Sequence, residues 1–208
     1  MKDYIEYIFL AVIQGVTEFL PVSSSGHIEF LKQIINNPSI QKEGAFITVI
    51  LHLATALSII FVFRKKLKEL LFRRNIDSKN YMLNVIFSMI PVAILVLFKI
   101  DQTIENKYNE GWNLIFIGFM FLITAMILFI TEKLSIKTKK ITLFAAIIIG
   151  IAQAIAILPG ISRSGATICT ALLLGATKKE ASTFSFLICL PIILGKSVKD
   201  LFDLDIMQ

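Results

Sequence analysis

Gln14, Glu18, Ser23, Ser24, Ser25 and His27 fall within one short stretch, and Gln153, Ser162, Arg163, Ser164 and Thr167 within another. Each stretch runs from Gln through apolar residues to a Pro and then a Ser-x-Ser-Gly core: Gln14 to Pro21 and Ser23-Ser24-Ser25-Gly26, then Gln153 to Pro159 and Ser162-Arg163-Ser164-Gly165. These residue types permit phosphoryl chemistry. Glu18 can hold a hard divalent cation that shares its ligands with substrate oxygens. His27 can move a proton near neutral pH. The planar fork of Arg163 suits phosphate oxygens. Seryl hydroxyls supply donors or a nucleophile. Ser/Gly turns that lead into helix starts aim free N–H groups at an anion. Gln14 and Glu18, four apart, share one helix face.

Plainer roles compete with each of these. Serines in membrane helices more often pack than react, and a lone His27 can serve as a helix-to-helix hydrogen bond. Glu18 and Arg163 can pair as a structural ion pair. His52, in Leu51-His52-Leu53-Ala54-Thr55, reads as structural.

The elements that must position these groups are membrane helices. The chain is 56% hydrophobic, with a mean hydropathy of +0.77. Ala45–Phe63, Met82–Phe98, Trp112–Ile130 and Ala181–Leu194 are long apolar stretches, the first three close to the roughly 20 residues that span a bilayer. The net charge of +6 does not point to nucleic acid, because 13 of the 21 Lys/Arg sit in three segments between apolar stretches. These segments are Arg64–Asn80, Glu132–Lys140 and Lys178-Lys179, which the positive-inside rule places in the cytoplasm. Cys169 and Cys189 lie in apolar sequence and read as buried thiols. Asp3, Glu6, Gln14 and Glu18 argue against a signal-peptide reading of the first residues.

With those segments inside, Lys32–Gly44 and Lys99–Gly111 fall outside, as do Asp200, Asp203 and Asp205. Tyr4–Phe19 then begins outside although Lys32 is also outside. Ile141–Leu158 begins inside although Lys178 is also inside. Each is therefore a hairpin that returns to its own side. The return limbs, His27–Asn36 and Ala166–Gly175, would reach only about 15 Å, half the hydrocarbon core. The expectation is an all-α integral membrane protein: inverted-topology repeats, two re-entrant helical hairpins meeting near the midplane, and about four full spans. Residues 1–208 form a single membrane-embedded domain, with a first repeat over 1–131 (hairpin 4–36) and a shortened second repeat over 132–208 (hairpin 141–175). Irregular backbone at that depth must be buried in protein or line a wet cavity, so the two turns should face each other.

The motifs resemble those of the undecaprenyl-diphosphate phosphatase family, also called the bacitracin-resistance proteins. Gln14 to His27 matches its (E/Q)xxxE and Pro-x-Ser-Ser-(Ser/Thr)-Gly-His signature, and Pro159 to Thr167 matches Pro-Gly-x-Ser-Arg-Ser-Gly-x-Thr. Weaker similarity runs through Leu51–Thr55 and Glu180–Leu187 to Pro191. The resemblance implies hydrolysis of undecaprenyl diphosphate to the monophosphate and inorganic phosphate in the bacterial inner membrane. The polyprenyl diphosphate lipid is the substrate, and the cofactor is a divalent cation, Mg2+ or Ca2+. It implies catalytic roles for Glu18, Ser24, His27 and Arg163, with Glu18 also at the metal. Gln14, Ser23, Ser25, Ser162, Ser164 and Thr167 would bind substrate. The nucleophile is Ser24, His27 or water. Counterparts of about two spans, each of about 20 residues, are missing behind the second hairpin, so a homo-oligomer would cover that flank or activity would be reduced. A lipid carrier or flippase is the alternative function. The type-2 phosphatidic-acid phosphatases share Ser-Gly-His and Ser-Arg, but they need a second His where this chain has Cys169.

Overall fold

The computed structural model describes residues 2–35, 37–72, 75–100, 103–104, 114–134 and 140–206. The helices are α1 (Lys2–Phe19), α2 (Ser24–Ile35), α3 (Pro38–Phe72), α4 (Ile76–Leu97), α5 (Leu114–Leu134), α6 (Leu143–Ile155), α7 (Arg163–Leu173) and α8 (Lys178–Ile206). Among the described residues there is no strand. Four stretches are long and apolar enough to cross a membrane: Phe46–Phe72, Ile76–Leu97, Leu114–Lys133 and Lys178–Phe202. The protein is an all-α, multi-pass membrane protein. Arg73, Arg74, Trp112, Lys137, Lys139 and most of Lys99–Gly111 lie outside the described residues.

Helix limits differ from the sequence reading in two instructive ways. The return limbs start at Ser24 and Arg163, three residues earlier than His27 and Ala166. The cause is capping. Ser162 Oγ accepts from Gly165 N at 3.0 Å, and Ser23 Oγ accepts from Gly26 N at a longer 3.4 Å. A serine so placed satisfies a free N–H and lets the helix begin at the next residue. Ser24 and Ser25 are therefore helical rather than part of the turn. The second difference is length. α3 continues through the basic Arg64–Phe72 segment, whose Lys, Arg, Glu and Leu are good helix formers. There Arg64 donates to Phe61 O at 2.8 Å and Lys66 pairs with Glu69 at 3.6 Å. Likewise α8 extends Ala181–Leu194 at both ends to a full span.

α8 is the central helix. Its span window is 44% buried, against 17–22% for the other three. Phe184 and Ile188 on α8 join Ala145, Ala146 and Ile149 of α6 and Ala171 and Leu172 of α7 in the main core. Small residues let backbones close up. A Cβ on Gly150 would stand 2.2 Å from Ser88 O of α4, so α4 and α6 pack backbone to backbone. Leu57, Phe61, Leu122 and Met126 point outward, as a lipid-facing surface requires.

α1 pairs with α2, and α6 pairs with α7, as two helical hairpins. Their tips touch. Ser164 Oγ of the second hairpin donates to Leu20 O of the first at 3.1 Å. A Cβ on Gly165 would lie 3.1 Å from Pro21 O, and one on Gly26 would lie 3.1 Å from Gly160 Cα. Each tip thus has a glycine where the other tip's backbone approaches.

Candidate functional site at the hairpin tips

The turns are held in conformations that few residues adopt. Gly160 has φ +94°, and Ser23, which has a side chain, has φ +67°. A non-glycine residue in that region is strained unless its surroundings hold it. Ser23 is buried, and its carbonyl accepts both from the His27 N–H at 3.2 Å and from the His27 ring at 2.8 Å. Thr124 of α5 secures the other turn, donating to Gly160 O at 3.2 Å and accepting from Ser162 N at 3.1 Å.

Glu18 is the hub. It is buried, as are Gln14 and Thr17 beside it. Gln14 Nε2 donates to Glu18 Oε2 at 2.8 Å from one helical turn away. Ser24 Oγ, at the first position of α2, donates to the same oxygen. Arg163 Nη2, at the first position of α7, donates to Glu18 Oε1 at 2.6 Å. The carboxylate side chain is 7% exposed and the guanidinium 26%, so the pair spends little of its attraction on solvent screening. Four of the expected residues (Gln14, Glu18, Ser24 and Arg163) meet in one network drawn from both hairpins.

The other expected residues do different things. Ser23 and Ser162 cap helices. Ser164 ties the tips together. Thr167 is buried and bonds back to Arg163 O at 2.9 Å and across to Ser185 Oγ at 2.6 Å, bracing the base of α7. Ser25 is exposed. His27 stands outside the Glu18 network. A carbonyl only accepts, so Nδ1 is the protonated nitrogen of His27 in its bond to Ser23 O. Its ring lies 4.9 Å from that of Phe121.

A cavity of about 10 Å³ adjoins the ion pair, lined by Glu18, Phe19, Ile59, Arg163, Ser164, Ser185, Phe186 and Cys189. That is room for about one water. Phe186 closes it, with ring centroids 5.5 Å from Phe19 and 5.8 Å from Phe63. The geometry is that of a closed site, and a diphosphate needs these rings to part. Sequence reasoning missed Thr124, Phe121, Ser185 and Phe186, which are unremarkable residue types in membrane helices. Cys169 and Cys189 are buried and free, as expected.

The residues test the implied cation. Among the described residues no three His, Cys, Asp or Glu side chains gather, so there is no preformed protein cage. One carboxylate with hydroxyl and amide neighbours fits the way Mg2+ binds, through one or two carboxylates plus substrate phosphates. It fits Ca2+, which takes 6–8 oxygens, less well.

Known proteins supply the remaining argument. The profile of the family described as bacitracin resistance protein BacA matches residues 7–208. The undecaprenyl-diphosphatase of Christiangramia forsetii is 46% identical over 210 residues, 99% of this chain and 78% of its own. Those of Parabacteroides distasonis and Methanococcus vannielii are 38% and 39% identical over 204 and 202 residues, covering 95% and 94% of this chain and 74% and 78% of theirs. The family match takes in Gln14, Glu18, Ser24 and Arg163, the four residues of the network that joins the hairpins, and the chain belongs to the bacitracin resistance protein family.

Proposed function

We propose that this protein hydrolyses undecaprenyl diphosphate to undecaprenyl phosphate and inorganic phosphate, recycling the lipid carrier of cell-wall synthesis. The observation that carries this is the Glu18 carboxylate, which receives Ser24 from its own hairpin and Arg163 from the other. The nucleophile and the anion clamp each hydrogen-bond to the carboxylate that serves as base.

Substrate binding begins with exchange of partners. Phosphate oxygens take the Arg163 fork and free Glu18 Oε1. Ser24 Oγ then attacks the distal phosphorus while its proton passes to Glu18. The Oγ–P bond forms, the bridging P–O bond breaks, and undecaprenyl phosphate leaves. Water next attacks the phosphoseryl phosphorus, the P–Oγ bond breaks as Glu18 returns its proton to Oγ, and inorganic phosphate is released. His27, anchored through Nδ1, has Nε2 to exchange the proton of that water. Glu18 is the residue that would hold a divalent cation, which would supply further charge neutralisation at the phosphoryl group. The free N–H groups at the N-terminus of α7 add donors on the same side.

The orientation rests on the distribution of Lys and Arg, with the basic ends of α3 and α5 in the cytoplasm and the protein in the bacterial inner membrane. The hairpins of 4–36 and 141–175 then enter from opposite faces as halves of an inverted repeat. The test is phosphate release from C55 diphosphate by detergent-purified protein, with Mg2+ and with chelator. Release that Arg163→Lys abolishes supports the reading. Binding or transfer of the lipid between vesicles without phosphate release would replace it with a carrier.

A further inference from the structure

His52 has no part in the reaction described above. It lies within the Phe46–Phe72 span, and its Nδ1 is buried with no hydrogen-bond partner among the described residues. An unpartnered buried polar atom is costly, and an apolar residue would suit this span better. Its location is informative. His52 lies on the helix face of Ala56, Ile59 and Phe63, at spacings of four, seven and eleven residues. Ala56 and Ile59 pack on Cys189, Leu190 and Ile193 of α8, and Ile59 and Cys189 line the cavity beside Glu18 and Arg163.

α3 and α8 run antiparallel along this seam. Phe63 meets Phe186, and continuing that antiparallel register past Ala56 and Ile193 brings Lys196 of α8 level with His52. Glu18, Arg163, Lys196 and Lys32 all lie close enough to act on His52 electrostatically. The charges that act on His52 are therefore the ion pair and these two lysines. Lys32 pairs with Glu29 at 3.7 Å near the end of α2, and Lys196 is exposed ten residues before the end of α8.

Charge balance gives this arrangement a use. Glu18 and Arg163 neutralise each other, whereas a diphosphate monoester brings about two or more negative charges. The prenyl chain must stay in lipid and the released phosphate must reach water. The distal phosphate therefore belongs toward the end of the site where the lysines are. We propose that His52, with Lys196 and Lys32, forms the seat of the distal phosphate, the one that leaves as inorganic phosphate. The proposal rests on the hydrolytic reading.

The experiment compares wild type with His52→Leu, His52→Gln and Lys196→Gln. For each it measures KM and kcat on C55 diphosphate, Ki for inorganic phosphate and Tm. His52→Leu should raise KM and Ki together by about 10-fold or more, the loss of one hydrogen bond to a charged group. Its kcat should hold within about 3-fold and Tm should stay level or rise, because the orphaned nitrogen is gone. Gln should restore most of the loss, and Lys196→Gln should raise KM and Ki and weaken their salt dependence. Unchanged KM and Ki in His52→Leu, or a fall in Tm that accounts for lost activity, would make His52 a packing residue. A wild type that releases no phosphate would overturn the hydrolytic reading alone. Inorganic diphosphate raising the Tm of wild type but not of His52→Leu would then still identify the seat, and equal shifts would overturn it.

Discussion

The two hairpin tips share a scaffold and divide the chemistry. Counting from their capping serines, Ser23 and Ser162, each has Gln nine residues before and Gly three residues after. At the position five before the cap the first has Glu18 and the second Ile157. At the position just after it the first has Ser24 and the second Arg163. Gln14 consequently orients a carboxylate, while Gln153 is buried with neither amide atom partnered among the described residues. Even the reversals differ, with positive φ at Ser23 in one and at Gly160 in the other. A duplicated frame can thus place an acid and a hydroxyl on one tip and a cation on the other. Only contact between the tips completes the set.

The sharpest way to break this comparison is to remove chemistry from one tip at a time. Ser24→Ala should lose on the order of 10⁴-fold or more in kcat, as when a nucleophile that acts in a unit is deleted, while the lipid still binds. A loss of only a few fold would mean that water attacks directly. Arg163→Lys keeps the charge but loses the fork, and phosphate release should fall by about 10²–10³-fold with Tm nearly unchanged.

Stability separates the pair's structural role from its chemical one. Glu18→Gln leaves Arg163 uncompensated and should cost about 3–5 kcal/mol, and adding Arg163→Met should recover most of it. Activity should stay lost in both. If stability does not recover in the double variant, the pair is not what holds the tips together.

Packing comes next. Gly26→Ala places a Cβ 2.7 Å from the Phe121 ring and 3.1 Å from Gly160 Cα, and overpacking of this kind costs about 1–3 kcal/mol. Gly15→Ala, with nothing within 4 Å of the added carbon, should instead stabilise α1 by about 0.5–1 kcal/mol. The smallest functional effect should come from the second tip's silent glutamine. Gln153→Leu removes an unpaired buried amide, so Tm should hold or rise and kcat should change less than about 3-fold. Gln14→Leu, its counterpart, should lower kcat clearly. Equal losses from both would show that the amides serve a common structural purpose.

Much of this was legible in the sequence because the membrane makes polar residues conspicuous. Glu18 and Arg163 interrupt apolar sequence, and a charge there needs a reason. The pairing of short return limbs with opposite loop charges was enough to bring the tips together. Hydroxyls were harder to read. Thr17, Thr55 and Thr131 each bond to the carbonyl four residues back in their own helix, a habit that costs the helix little. Thr124 looks the same in sequence yet reaches across to the second turn. Nothing local distinguishes it, since the difference lies in which helix stands opposite. Phe186 and Ser185 were hidden for the same reason. Ser24 was placed in a turn rather than on a helix because a cap and the helix it starts are both serine here.

The central claim is that the two tips make one site. The most direct test is phosphate release from C55 diphosphate by wild type, Ser24→Ala, Arg163→Lys and the double variant. Residues that act as one unit are strongly non-additive. The double variant should be no more than about 3-fold slower than the worse single variant. Losses that multiply would show that the two tips act independently, and would contradict the account.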